Sequence, residues 1–257
     1  MSAGKFLIPQ NSRSKVKNIV AVMSGKGGVG KSSVTALLGG DLTKKGYQVG
    51  ILDADITGPS IPKMFGIHAQ VDLVENFFLP PEKHGIKMMS VNFLLGNEND
   101  PVIWRSPVII RAVKDFWVKC AWGDLDYLLI DLPPGTGDVP LTVMQSIPLQ
   151  GMIVVSSPHD VTVMIVKKAI QMAKKVGIPV LALVENMSYF SCPCCGQTTP
   201  VFGKSKVREV AQGAGIPLTA VLPLDPCLAM LQEEGKIFDY SLKEDLSALL
   251  GRREEQK

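Results

Sequence analysis

Short apolar runs alternate with helical patterns along the chain, and this alternation predicts the fold. Seven runs rich in β-branched residues, each bounded by Gly, Pro or polar turns, predict buried parallel strands at residues 17–23, 48–52, 87–91, 127–130, 151–156, 180–185 and 218–222. Patterns with a helical period between them predict helices at residues 31–45, 107–121, 161–176, 205–213 and 242–250. Strands and helices that alternate in this way are typical of the α/β class, with a doubly wound, mostly parallel sheet flanked by helices. Such sheets bind ligands outside the carboxyl ends of their strands.

The composition fits a single folded domain. The chain has 257 residues, 46% of them hydrophobic, which is enough for one large core. We expect one domain at residues 18–251, with a cysteine-rich loop at residues 187–200, between an N-terminal arm at residues 1–17 and a C-terminal tail at residues 252–257. A net charge of +3 without runs of like charge leads us to expect neither nucleic acid nor a membrane as partner. We find no membrane-length apolar stretch and no secretory signal, so we expect a cytoplasmic protein. An organelle transit peptide is the alternative, since the arm lacks acidic residues.

One segment of eight residues matches a phosphate-binding motif. The pattern is G-x-x-x-x-G-K-[ST], and the residues are Gly25, Lys26, Gly27, Gly28, Val29, Gly30, Lys31 and Ser32, with Ser33 next to them on the predicted helix. The segment follows a predicted strand and opens a helix, so its backbone N–H groups and the positive helix end can surround a phosphate. We expect Lys31 to reach the β- and γ-phosphates and the Ser32 hydroxyl to bind Mg²⁺. A glycine-rich turn that matches by chance is the alternative.

Three aspartates stand at the ends of two predicted strands. Asp53 and Asp55, two residues apart, are expected to point toward the crevice where the γ-phosphate and Mg²⁺ would lie. Asp131 directly follows the apolar run at residues 127–130, which is the Walker B arrangement that holds Mg²⁺. The glycines of residues 133–138 allow the backbone to change when the γ-phosphate leaves. A role for Asp131 as a helix cap is the alternative.

Three of the five cysteines crowd together, which predicts metal or redox chemistry in a reducing compartment. A C-x-x-C pair supplies two thiolates, whereas a tetrahedral Zn²⁺ or an iron–sulfur cluster usually takes four. A two-fold dimer would bring two such pairs together. Cys192 and Cys195 are the favoured pair, although Cys194 leaves open which two sulfurs act, and a structural zinc knuckle is the alternative. Cys120 and Cys227 are expected to be packing residues.

The extra lysine of the phosphate motif, Lys26, carries a resemblance to a known class. The form G-K-G-G-V-G-K-S resembles the deviant P-loop ATPases, which include MinD, ParA, the nitrogenase iron protein and the arsenite-pump ATPase. The resemblance implies a homodimer in which Lys26 reaches toward the ATP of the other subunit. It also implies that Asp55, supported by Asp53, orients the attacking water or the metal, and that Asn186 contacts adenine. A solvated loop lysine and a plain turn residue are the alternative interpretations of Lys26 and Asn186.

Together with its cysteines, the chain resembles the Mrp/ApbC type of iron–sulfur cluster carrier ATPase. The matching segments are residues 25–32, 53–60, 104–105, 131–138, 184–187 and 192–203. This resemblance implies a slow, Mg²⁺-dependent ATPase whose homodimer binds a [4Fe–4S] cluster through Cys192 and Cys195 of each protomer and passes it to apoproteins. The alternative function is a MinD- or ParA-like positioning ATPase with a structural zinc at the C-x-x-C pair. Against that alternative, residues 243–257 carry four basic and four acidic side chains, a balance that does not favour anionic lipid.

Overall fold

The computed structural model describes residues 7–55, 61–68, 71–94, 106–158 and 163–251. The predictions that concern residues 1–6, 56–60, 104–105, 161–162 and 252–257 lie outside these ranges. The strands are β1 (Ser14–Ser24), β2 (Val49–Asp53), β3 (Asp72–Val74), β4 (Phe77–Leu79), β5 (Glu82–Lys83), β6 (Ile86–Ser90), β7 (Gly123–Asp131), β8 (Gly151–Ser156), β9 (Val180–Ser191), β10 (Thr198–Thr199) and β11 (Leu218–Pro223). The helices are α1 (Lys31–Lys44), α2 (Ile61–Met64), α3 (Ser106–Lys119), α4 (Asp138–Ser146), α5 (Val163–Val176), α6 (Val207–Ala214) and α7 (Pro226–Glu233). Short 3-10 turns occupy Val91–Leu94, Ile237–Asp239 and Ser247–Leu250.

Nine strands of the described chain form one sheet, in the order β10-β9-β8-β1-β7-β2-β6-β5, with β11 paired to β9. Within this sheet the pairing is parallel except where β5 joins β6 and β10 joins β9. The chain moves from β1 to β2 on one side and later returns to β8 on the other, which makes β1 the point where the winding reverses. The doubly wound, mostly parallel sheet confirms the predicted fold class.

Apolar side chains cover both faces of the sheet, because a parallel sheet buries both of its faces. On one face, α3, α4, α5 and α6 pack over a cluster that contains the fully buried Trp117 and Trp122. On the other face, α1 and α2 pack over a cluster that contains Leu38, Ile51 and Phe65. The sheet is therefore the middle layer of three, and its carboxyl edge carries the loops. None of the helices in the described ranges combines the length and the apolar character that crossing a bilayer requires.

The sheet begins earlier in the chain than the apolar pattern predicts. β1 starts at Ser14, whereas the predicted strand starts at Lys17. Part of the predicted N-terminal arm is also attached to the domain, since the Ile8 N–H donates to Ser146 O and Ile8 O accepts from Trp117 Nε1, both at 2.8 Å. These bonds anchor the arm to α4 and α3.

Helices α4 and α7 lie in segments for which the apolar pattern predicts no helix. α7 has a clear start signal, because the Asp225 carboxylate accepts the Cys227 N–H at 2.8 Å and Pro226 occupies the first helical position. The prediction that Cys227 packs in the interior is wrong, because this residue is exposed at the start of α7. Cys120 is buried, as predicted.

The helix predicted at residues 242–250 is wrong, since only the 3-10 turn Ser247–Leu250 forms there. Asp41 of α1 accepts the Ser247 N–H at 2.8 Å, an N–H that a helix would donate to its own carbonyl. Leu246 is fully buried. The spacing of the leucines therefore reflects core packing of an irregular segment and not a helix.

Candidate functional site

The loop at residues 25–30 joins β1 to α1 at the carboxyl edge of the sheet. Gly28 and Gly30 have φ angles of 80° and 77°, in the left-handed region that favours glycine. Ser24 Oγ donates to Lys26 O at 2.8 Å and fixes the first bend of the loop, while the Lys26 side chain is exposed. The strand, loop and helix that a phosphate-binding motif needs are therefore all present.

Asn186 of β9 ties this loop to the neighbouring part of the sheet. Its side-chain Nδ2 donates to Val29 O at 3.0 Å, and the residue is only 5% exposed. A Cβ atom on Gly30 would lie 2.2 Å from the same Nδ2 atom. The φ angle favours glycine at this position, and a larger residue would displace the Asn186 side chain from its bond to Val29 O.

A buried lysine and two carboxylates meet at the start of α1. Lys31 Nζ lies 2.7 Å from Asp131 Oδ2 and 3.2 Å from Asp55 Oδ2. Ser32 Oγ donates to Asp131 Oδ2 at 2.5 Å, and Thr35 Oγ1 donates to Asp131 Oδ1 at 2.8 Å. Three side chains at the start of α1 therefore converge on the carboxylate of Asp131, the last residue of β7.

The electrostatics keep Lys31 charged although its side chain is only 5% exposed. Burial lowers the pKa of Lys31, but the neighbouring Asp131 and Asp55 carboxylates outweigh it, and the net shift is upward. A protonated lysine in a buried site is the group that a bound phosphate would find.

Asp53 and Asp55 have different partners, although they were expected to point the same way. Asp53 Oδ1 accepts the Asp55 N–H at 3.1 Å, and Asp53 Oδ2 accepts from the Ile61 N–H at 3.1 Å and from Ser90 Oγ at 3.0 Å. Burial, together with the nearby charge of Asp131, raises the pKa of Asp53 to about 7. Asp53 therefore holds the turn and the start of α2, while Asp55 faces Lys31.

The segment at residues 132–137 is hydrogen-bonded to the end of β1, directly before the phosphate-binding loop. The Leu132 N–H donates to Val22 O at 3.0 Å, and the Gly135 N–H donates to Ser24 O at 2.8 Å. The Gly135 φ angle is 88°, which again favours glycine. A shift at Ser24, where the chain enters the loop, would thus reach Gly135 through one backbone hydrogen bond.

The cysteines form a tight turn at the end of β9. The Cys192 N–H donates to Gln197 O at 2.9 Å, and the Gly196 N–H donates to Cys192 O at 2.8 Å. The backbone N–H groups of Cys195 and Cys194 hydrogen-bond the Cys192 sulfur and lower the pKa of that thiol. In the described part of the chain, no group of three or more His, Cys, Asp or Glu side chains is arranged to hold a metal ion. One chain thus offers a thiol pair in a turn that stabilises thiolate.

β9 joins the two halves of the site through an irregular stretch. Met187 has a φ of 57°, and the pairing with β11 shifts between Glu185 and Tyr189, so the strand bulges there. Glu185 Oε1 accepts from Ser188 Oγ at 2.5 Å across the bulge. Glu185 is fully buried, and its Oε2 atom has no hydrogen-bond partner among the described residues. The bulge turns Asn186 toward the loop at residues 25–30 while the strand continues to the cysteines.

A model of the ParA group, described as NUBPL iron-transfer P-loop NTPase, matches residues 15–250. The chain belongs to this family. An iron–sulfur cluster carrier protein of Aquifex aeolicus is 46% identical over 233 residues, which cover 89% of this chain and 64% of that protein. One of Clostridium perfringens is 45% identical over 244 residues, with coverages of 91% and 86%. A nucleotide-binding protein of Archaeoglobus fulgidus, solved in complex with ADP, shares 45% identity and a TM-score of 0.80, with coverages of 88% and 90%.

Membership in the NUBPL iron-transfer family confirms the resemblance inferred from the motifs. Three buried hydroxyl groups of this NUBPL-family chain were nevertheless missed: those of Thr35, Ser90 and Ser188, which bind Asp131, Asp53 and Glu185 respectively. Thr35 could have been found, because it lies one helical turn after Lys31 and so shares its face of α1. Ser90 ends β6 as Asp53 ends β2, and the two are register partners.

Proposed function

We propose that this protein is an ATP-dependent iron–sulfur cluster carrier, whose homodimer holds a [4Fe–4S] cluster and transfers it to apoproteins. The two relatives named iron–sulfur cluster carrier proteins support this proposal. The observation that carries it is the course of β9, which contacts the phosphate-binding loop at Asn186 and leads into the thiol turn at Cys192. A nucleotide site and a thiol pair on one strand are what a carrier needs if ATP is to control its cargo.

For the nucleotide, residues 25–33 surround the phosphates of ATP, and Lys31 exchanges the Asp131 carboxylate for β- and γ-phosphate oxygens. The relative solved in complex with ADP supports a bound nucleotide in this protein. Ser32, Asp55 and Asp131 offer the hard oxygen donors that suit Mg²⁺, which would neutralise charge on the phosphates. Asp55, already within reach of Lys31, orients the attacking water.

For the dimer, the exposed Lys26 reaches the nucleotide of the other subunit, and Asn186 contacts adenine. Each protomer supplies Cys192 and Cys195, so that two copies provide the four thiolates that a [4Fe–4S] cluster takes. The hydrogen bonds to the Cys192 sulfur support this assignment, because they favour the thiolate form that binds iron.

Nucleotide state reaches the cargo by two hydrogen bonds, one to the phosphate-binding loop and one to Ser24, which directly precedes it. Hydrolysis relaxes Asp55 and the segment at residues 133–138, which is bonded to Ser24 through the Gly135 N–H. The same loop is bonded to Asn186, from which β9 leads to the cysteines. In this proposal the protein works in the cytoplasm, where thiols stay reduced, and it needs no nucleic acid or membrane.

The test of the cargo is anaerobic reconstitution with iron and sulfide, followed by metal analysis, visible absorption and measurement of the protomer mass. We expect about four iron atoms per dimer in the wild type and none in Cys192→Ala/Cys195→Ala. The matched control is Cys227→Ala, which removes an exposed thiol outside the turn and should load iron normally. Tightly held zinc, or no metal in the wild type, would contradict the carrier function.

The role of ATP needs a separate test with the loaded protein. Lys31→Ala and Asp55→Asn should each keep the cluster but lose the dependence of cluster transfer on ATP. A variant at either position that transfers clusters at the wild-type rate, with the same response to ATP, would exclude nucleotide control.

A further inference from the structure

The chain that leads from the cysteine turn into α6 forms an exposed and basic surface, which we call the basic strip and define as residues 193–208, with Val207 as its one buried residue. Every residue from Pro193 to Lys206 is exposed. Lys204, Lys206 and Arg208 carry positive charge, and no acidic residue occurs within the strip. Since the net charge of the whole chain is only +3, this concentration of charge next to the cysteines is a local feature.

The three positive charges have no salt-bridge partner that would explain them as part of the fold, within the described residues. Lys206 is the N-cap of α6 and Arg208 lies in its first turn, where the helix dipole is already positive and further cations are unfavourable. The acid of that first turn is Glu209. None of the three forms a salt bridge within the described parts of the chain, and all three side chains are exposed. Three exposed cations without a salt bridge, beside one acid at Glu209, fit a negatively charged partner.

Apolar groups accompany the charge. Val201 is 42% exposed and Phe202 is 39% exposed, in the turn between β10 and α6. Beside them lies a groove of about 360 Å³, lined by Ser188, Tyr189, Thr198, Pro200, Ser205 and Val221. Ser205 lies between Lys204 and Lys206, so the groove and the charges belong to one surface. That surface begins at the cysteine turn itself, since Thr198 pairs with Ser191.

We propose that the basic strip is the docking surface for the recipient apoprotein, which it recognises as an acidic surface beside cysteines that lack their cluster. The inference rests on the proposed carrier function and names the partner's chemistry. In the transfer, a recipient thiolate forms a bond to iron as the bond from Cys192 or Cys195 breaks. The proton lost by the recipient thiol returns to the released cysteine, and no electron moves. Lysine and arginine beside this exchange attract the acidic surface and favour the recipient's thiolates.

The test compares the wild type with Lys204→Glu/Lys206→Glu/Arg208→Glu. Glutamates at a helix start suit the dipole, so this variant should fold at least as well as the wild type. The matched control is Lys167→Glu/Lys168→Glu/Lys174→Glu, which changes the same number of exposed charges on α5. The probe is the apo form of a small acidic [4Fe–4S] ferredoxin. Its affinity for cluster-free carrier is measured by titration, and its rate of cluster uptake from loaded carrier is measured at about 50 and about 300 mM salt.

We expect the strip variant to hydrolyse ATP and load iron like the wild type. Its second-order transfer rate and its affinity for the apo-ferredoxin should fall about tenfold or more at low salt, and its salt dependence should be weaker. Equal affinity in the wild type and the strip variant, or an equal loss in the α5 control, would overturn the proposal. So would tighter binding of an oligonucleotide than of the apo-ferredoxin, which would assign the strip to nucleic acid. A different oligomeric state of the strip variant in solution would assign the strip to a second copy and would also overturn the proposal. The affinity is measured without a cluster, so it can be determined even if the protein loads no iron. The carrier function and the docking surface can therefore fail separately.

Discussion

Replacing Gly30 by alanine should destabilise the protein much more than the same change at Gly28, although both glycines have nearly the same φ angle. At Gly28 no atom lies within 4 Å of the added methyl group, so Gly28→Ala incurs only the cost of a left-handed alanine, about 1–2 kcal/mol. At Gly30 the methyl carbon would lie 2.2 Å from Asn186 Nδ2. The Asn186 side chain must then move and give up its bond to Val29 O.

Leaving those two buried groups unpaired adds about 1–3 kcal/mol, so Gly30→Ala should cost about 2–5 kcal/mol in total. The assay is the free energy of unfolding in urea without nucleotide, which separates folding from any direct effect on ATP binding. The double variant Gly30→Ala/Asn186→Ala removes the overlap, and its cost should be smaller than the sum of the two single costs. Equal losses for Gly28→Ala and Gly30→Ala, or strictly additive losses in the double variant, would refute the argument that Asn186 fixes the loop.

Three further outcomes can be checked on the same protein. Thr35→Val should lower the free energy of unfolding by about 1–3 kcal/mol, because it removes a hydrogen bond from a buried carboxylate. Thr43→Val on the same helix loses only a bond to a carbonyl and should lower it clearly less in urea denaturation, so equal losses would contradict this. The pKa of Asp53 rises from 3.8 to about 7 in the fold, so the native state holds this proton more tightly than the unfolded chain does. The contribution of Asp53 to stability therefore declines as the pH rises from about 4 to about 7, and Asp53→Asn should remove that decline. The measurement is the free energy of unfolding at about pH 5 and about pH 7, and the same difference between these two values in the wild type and the variant would disprove the argument. Cys194→Ser should load iron normally and Cys195→Ser should not, and the reverse pattern in metal analysis would move the ligand role to Cys194.

The nucleotide half of the site follows from the sequence because its residues are adjacent in the chain or end neighbouring strands. Once residues 25–32 are known to join a strand to a helix, the sheet itself brings Asp131 to Lys31, since parallel strands end at the same edge. The apolar pattern cannot supply hydrogen bonds between elements far apart in the chain. Two such bonds depend on the folded backbone and are seen only in the structure. They are the bond from Asn186 to Val29 O and the bond from the Ile61 N–H to Asp53.

The errors in the secondary structure have local chemical causes. The apolar spacing at residues 242–250 has a helical period, but Asp41 captures the N–H of Ser247 and an irregular turn results. α7 is missed because its apolar stripe is weak, although Asp225 and Pro226 mark its start. β9 extends six residues beyond its predicted end, because the bulge at Met187 interrupts the apolar run without ending the strand.

The length of β9 beyond Asn186 has a mechanical consequence. Cys192 lies six positions after Asn186, a span of at most about 20 Å in an extended strand. β11 and β10 pair with this part of β9, so in the proposed nucleotide control it would move as one stiff element that pivots at Asn186. A rotation of about 5° at the pivot would displace the sulfur by about 1.7 Å, which is most of a metal–sulfur bond length of about 2.3 Å. In the proposed homodimer the two strands would move in opposite directions. A shift at the phosphate too small to break one hydrogen bond would then separate the two cysteine pairs that hold the cargo.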